Sequence, residues 1–137
     1  MIRIDIEYLG RLRCAATHGP SSVRIVTDAP VDNHGRGESF SPSDLVAGAL
    51  GACMVTLMGI AAEERGWDLA GTTVRVEKHM VSEPARRIGK VEIEIHVPAA
   101  LDERARAVLE RAARTCPVHA SLHPDVEIAA RFRWGTG

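Results

Sequence analysis

Two cysteines stand where a thiol can do chemistry. Cys53 lies near the middle of an uncharged run, Leu45 to Ala62, and Cys116 opens a Cys-Pro-Val-His segment far downstream. The thiolate, not the thiol, is the nucleophile, so a reactive cysteine needs local stabilisation of its charge. Cys53 sits too far along its helix for the macrodipole to help, so it needs a cation. Arg11 and Arg13, in the first hairpin, are the candidates. Cys116 comes just before a proline-initiated turn, where backbone N–H groups would favour thiolate. Cys116-x2-His119-x3-His123 also has ligand-like spacing, with Cys53 as a fourth donor. Zinc sites usually show a tighter ligand pair on both sides, however. His119 and His123 are better read as capping the short turn and lining a polar pocket, and neither a metal nor another cofactor is expected. Against all of this stands the plain reading of a buried cysteine as an inert small hydrophobe.

The elements that must position these thiols follow from periodicity and breakers. The central stretch is Ser41 to Ala62, SPSDLVAGALGACMVTLMGIAA. Ser41 can N-cap, Pro42 suits the first helical position, and Asp44 completes a capping box. Gly66 is a C′ residue at the far end. The uncharged run is at the lower limit for a membrane span, but about half of it is Gly, Ala or Thr and it has no aromatic belt. A helix apolar all round reads instead as a core helix.

Before it, residues 2–8 alternate with Ile2, Ile4, Ile6 and Tyr8 on one face, which is a half-buried strand. Leu9-Gly10-Arg11 turns the chain into a second strand, with Leu12, Cys14 and Ala16 on one face and Cys14 read as core. Val23 to Thr27 is a third strand. Residues 28–40 are a loop rich in Asp, Gly and Pro. After the helix, Thr73 to Met80 and Ile88 to Val97 are strands, the second with Glu92, Glu94 and His96 on a wet face. Leu101 to Thr115 is an amphipathic helix with a stripe of Leu101, Ala105, Val108, Leu109 and Ala112, supported by the i,i+4 pairs Asp102–Arg106 and Glu110–Arg114. Pro117 can start a short helical turn, and Val126 to Trp134 is the last strand. The order is βββ-α-ββ-α-β, an α+β fold of antiparallel sheet with two main helices.

The chain of 137 residues is read as a single domain, 1–137. A net charge of −1 argues against nucleic acid or an anionic membrane as the main partner. The start, MIRIDIEYLG, has no apolar h-region. Three cysteines without tight spacing make no disulfide framework and point to a reducing, cytoplasmic setting. The central helix is too apolar for a small monomer to cover, so a second copy is expected on it.

Three segments together resemble a known family: SPSDLVAGALGACM on the apolar helix, then RRIGKVEIEIHVP, then LERAARTCPVHASLHPDVEI. They look like the OsmC/Ohr family (osmotically inducible protein C and organic hydroperoxide resistance protein), across essentially the whole chain. The pairing of a mid-helix cysteine after Pro42-x-x-Leu45 with a later Cys-Pro is specific to it. The resemblance implies an intertwined homodimer with active sites at the subunit interface and a long buried central helix. It implies a thiol-dependent peroxidase for organic hydroperoxides in oxidative-stress defence, without metal or haem. Cys53 then matches the peroxidatic cysteine and Cys116 the resolving one, with a dithiol reductant closing the cycle.

One position departs from the pattern. In the hydroperoxide-resistance branch the helix opens Pro-Glu, and that Glu pairs with an Arg that steadies the thiolate. Here Ser43 follows Pro42, leaving Asp44 or Glu38 as substitutes. The Arg corresponds to Arg11 counted from Gly10, or to Arg13 counted back from His18-Gly19. The chain thus resembles a divergent OsmC-like branch. The rival expectation is a dimeric small-ligand binding or redox-sensing protein on the same fold.

Overall fold

The computed structural model describes residues 1–136. The chain divides into two compact units, Met1–Val46 and Ala47 onward.

In the first unit, β1 (Ile4–Gly10), β2 (Arg13–His18) and β3 (Arg24–Asp28) form an antiparallel meander in the order β1-β2-β3. The first turn lies one residue later than expected. Arg11 and Leu12 are its central residues, at φ +54° and +65°, the pair of left-handed positions that a two-residue hairpin needs to match strand twist. Leu12 therefore belongs to the turn, and β2 starts at Arg13.

The expected core face of β2 is also corrected. Ala15 is its buried residue, at 4% exposure, while Cys14 is only half-buried. Register explains this. Cys14 lies opposite Tyr8, and Ala16 opposite Ile6, so Cys14 shares the face of Ile4, Ile6 and Tyr8. Those three side chains are 58–67% exposed. Ile4, Ile6 and Tyr8 share one face of β1 as expected, but within one chain that face lies open rather than half-buried.

The second helix-bearing part starts with α1 (Pro42–Glu63), whose first turn is counted with the first unit. The capping box forms as expected. Ser41 Oγ accepts the Asp44 N–H at 3.1 Å, and Asp44 Oδ2 accepts the Ser41 N–H at 2.9 Å. Gly66, at φ +72°, ends the helix, and the Trp67 N–H reaches back to the Ala62 carbonyl at 2.9 Å. Ala47, Leu50, Gly51, Met54, Met58 and Ala62 form the buried side. The opposite side is not buried, because Val46 and Ile60 are 38% and 51% exposed. Among the described residues α1 is the single helix long and apolar enough to cross a membrane, yet its buried stripe is that of a helix packed on a core.

That core is built with β4 (Thr73–Val81), β5 (Arg87–Val97), α2 (Glu103–Arg114), α3 (Pro117–Ser121) and β6 (Glu127–Trp134). The sheet order is β4-β5-β6. β4 and β5 pair antiparallel, but β5 and β6 pair parallel, a departure from an all-antiparallel sheet. The α2–α3 segment is the crossover that parallel neighbours require. Val91, Ile93, Ile95 and Val97 of β5 meet Leu50, Met54 and Met58 of α1 and Leu109 and Ala113 of α2 in one cluster. The expected i,i+4 pairs on α2 give way to other contacts. Asp102 caps the helix by accepting the Ala105 N–H at 2.8 Å. Arg106 and Arg114 lie over Trp134 and Phe132, at 5.8 and 5.7 Å from the ring centres, an attraction of ring face to cation.

The α1–β4 contact is tight at Gly51, where an added Cβ would come within 2.7 Å of Val76 Cγ2 and 3.1 Å of Val74 Cγ1. Replacing Gly by Ala in a helix interior gains up to about 1 kcal/mol of propensity, and overpacking costs about 1–3 kcal/mol. Valine is stiff at χ1, so the neighbours cannot swing away cheaply. Gly51→Ala is therefore expected to lower stability by about 1 kcal/mol in denaturant melts. A gain in stability would show that the helix simply moves out.

Candidate active site

Cys53 is carried by α1 and is half-buried. Cys116 follows α2 directly and is buried, at 1% exposure. Both belong to the same packed region: Cys116 is a member of the core cluster, and Cys53 packs against it. The two side chains are near enough for Cys53 to act on the Cys116 thiol. The sequence places them far apart, and the α2–α3 junction, lying over the same sheet as α1, brings them together.

The local structure of Cys116 follows from Pro117. Proline at the first helical position has no N–H to satisfy and a φ already suited to a helix, so the chain starts α3 immediately after α2. Cys116 becomes the N-cap, its Sγ accepting the His119 N–H at 3.4 Å. That N–H, with the one of Val118, draws the thiol toward ionisation, as the sequence suggests. The larger effect is the opposite. Burial pushes the Cys116 thiol above its ordinary range, and the neighbouring Cys53 sulfur pushes it further in the same direction. The turn thus acts on Cys116 as expected, and burial outweighs it. Cys116 is therefore favoured as the neutral thiol.

The histidines do not join the sulfurs as a ligand set. His119 is half-buried and contributes its backbone N–H. His123 is exposed, and its Nδ1 accepts the Asp125 N–H at 3.0 Å. Among the described residues, the group of His, Cys, Asp or Glu donors close enough to share an ion is Glu77, His79 and Glu92, not Cys116, His119 and His123.

In the first unit the two candidate arginines separate cleanly. Arg11 is exposed in the β1–β2 turn. Arg13 is half-buried on β2 and donates from Nη1 to Glu38 Oε2 at 3.3 Å. Glu38 is held for this role by its own backbone, because its N–H donates to Asp28 Oδ2 at 3.0 Å. Asp28 is 1% exposed and stands opposite Arg13 in the β2–β3 register. Asp44, the other carboxylate considered, is engaged in the capping box of α1. Sequence reasoning missed Asp28. Its one signal was a lone acidic residue closing an apolar strand, which also describes an ordinary strand end.

The raised Cys116 thiol has a measurable consequence. The folded state holds that proton after the unfolded chain has released it, so folding is disfavoured as pH rises past the ordinary thiol range. Reduced protein is expected to lose stability over that range relative to Cys116→Ala, when denaturant melts of the two are compared from neutral to alkaline pH. Parallel pH profiles would show that burial leaves this thiol unperturbed.

Residues 35–131 match the family model for OsmC-like protein. A proposed osmotic stress induced and detoxification response protein from Psychrobacter arcticus 273-4 has a crystal structure with 43% sequence identity and a TM-score of 0.91, covering 96% of each chain. The organic hydroperoxide resistance protein OsmC from Legionella pneumophila shares the fold at 16% identity and a TM-score of 0.77, over 97% of this chain and 96% of the other. The organic hydroperoxide resistance protein OhrB of Bacillus subtilis does so at 14% identity and a TM-score of 0.71, over 97% and 98%. No curated protein matches the sequence. The family model spans both the Glu38 loop and the two cysteines, and with the shared α+β fold it places this chain in the OsmC-like family.

Proposed function

We propose that the protein is a thiol peroxidase that reduces organic hydroperoxides, with Cys53 as the attacking thiolate and Cys116 as the resolving thiol. The observation that carries this reading is the Cys53–Cys116 pair itself: two free thiols packed in one core region, with the Cys116 thiol favoured in its neutral form by burial. The OsmC-like family and its hydroperoxide-resistance relatives support a peroxidase-like role.

The chemistry balances with these groups. The Cys53 thiolate attacks one peroxide oxygen, the O–O bond breaks, and the alkoxide leaves as an alcohol after taking up a proton. Cys53 becomes a sulfenic acid. Cys116 then attacks that sulfur, an S–S bond forms, and the sulfenic hydroxyl leaves with the thiol proton as water. A dithiol reductant restores both thiols by exchange and is itself oxidised to a disulfide. Arg13, oriented by Glu38, is the proposed cation for the Cys53 thiolate. Glu38 thus takes the place of the family's helix carboxylate, where this chain has Ser43.

The same reading includes a homodimer in the cytoplasm. Its support is the uncovered apolar surface: Ile4, Ile6, Tyr8 and Ile25 on the first sheet, and Val46 and Ile60 along α1. Side chains of this kind on contiguous strands are what a second copy would cover.

Steady-state assays with cumene hydroperoxide and a dithiol test the reading. Cys53→Ser should abolish turnover, and Cys116→Ser should permit one turnover followed by over-oxidation of Cys53. A cation beside a thiolate changes its population at neutral pH by about tenfold or more. Arg13→Met should slow peroxide reduction by that factor, and Arg11→Met should not. Full activity in Cys53→Ser would refute the assignment. Slow, unselective oxidation of the unaltered protein would favour the ligand-binding or sensing role instead.

A further inference from the structure

The outer face of the β4-β5-β6 sheet takes no part in the proposed thiol chemistry, and two of its charged rows carry both signs. Arg75 stands opposite Glu94, with Arg131 beside it, and Arg131 donates to Glu94 at 2.6 Å. His79 stands opposite Lys90, with Glu127 beside it, and Lys90 lies 4.0 Å from Glu127. The row between them is different. Glu77 stands directly opposite Glu92, and the third residue is Ala129.

Like charges directly opposed across a strand pair are destabilising. Glu92 is compensated by His79 Nε2 at 2.7 Å and by Lys90 at 3.5 Å. Among the described residues Glu77 has no ion pair or hydrogen bond, unlike Glu92, Glu94 and Glu127 on the same face. Because Ala129 stops at its Cβ, the row is also hollow. A cavity of about 180 Å³ opens there, lined by Glu77, Glu92, Glu94, Arg75 and Arg131.

One imidazole nitrogen and two carboxylate oxygens, from Glu77, His79 and Glu92, lie within 4.8 Å of one another, and the two glutamates line the cavity. We infer that these three side chains form a site for a divalent transition-metal cation. The donor set, one nitrogen and two oxygens, suits manganese, iron or zinc, with water or an exogenous ligand completing the coordination from the open side. The cation supplies the positive charge that the Glu77–Glu92 row lacks and replaces the hydrogen bond between His79 and Glu92. Lys90 is the competing cation, so the site binds metal reversibly rather than as a permanent structural ion.

Manganese is the discriminating probe, because it prefers oxygen and imidazole donors and leaves the cysteines alone. Substoichiometric Mn2+ added to the isotopically labelled, reduced protein should broaden the amide resonances of Glu77, His79 and Glu92 before any others. His79→Ala leaves the carboxylates in place, and it should weaken binding by at least about tenfold, since even outer-shell partners of a metal contribute tenfold or more. Glu77→Gln should do the same. Both positions are on an exposed sheet face, and a melt of each variant confirms that it folds. Broadening spread over all acidic surface residues, or unchanged in His79→Ala, would overturn the inference in favour of diffuse attraction to carboxylates.

Discussion

A thiol is cheap to bury and a thiolate is expensive, and the arrangement of this protein depends on that asymmetry. Cys116 is sealed into the core formed by α1, β5 and α2, so its neutral form is favoured even though two backbone N–H groups point at its sulfur. Cys53, on the half-exposed side of α1, does not carry the same burden of burial. In the proposed two-cysteine cycle, the buried Cys116 thiol is the one that waits with its proton until a sulfenic acid appears beside it.

Everything that sets this contact lies in how α2 gives way to α3. The α2 helix is docked by Ala105, Leu109 and Ala113, and its arginines are spread over Trp134 and Phe132 on β6. Those contacts fix where α2 ends. Pro117 then forces a new helical turn whose N-cap must be Cys116. The tight approach of Gly51 to Val74 and Val76 sets the depth of α1 on the same sheet. In the first unit a different device operates. A buried aspartate, Asp28, pins the backbone of Glu38, and Glu38 receives Arg13. At the start of α1, Ser41 and Asp44 close the capping box.

Much of the fold was legible because its elements announce themselves locally. The capping box, the Gly66 stop, the alternation of β5 and the α2 stripe all depend on residues close in sequence. What was not legible depends on register and on pairing at a distance. The single-residue shift of the first turn follows from positive φ at Arg11 and Leu12, which neither residue type advertises. The buried side of β2 was misjudged because Cys14 looks apolar and Arg13 does not, yet the Tyr8–Cys14 register puts the cysteine on the open face. The parallel pairing of β5 with β6 cannot be read from strands that alternate equally well in either direction. At the site, the proposed roles of Cys53 and Cys116 rest on the family's motif, the Arg13–Glu38 pair came from the structure, and Asp28 carried no distinctive signal at all.

The most direct measurement is rapid mixing of the reduced protein with one equivalent of an organic hydroperoxide, followed by mass mapping of the quenched disulfide. The account predicts fast loss of two thiols per chain, faster than with hydrogen peroxide, and a single bond between Cys53 and Cys116 with Cys14 still reduced. Slow loss of thiols, or a bond that involves Cys14, would contradict it.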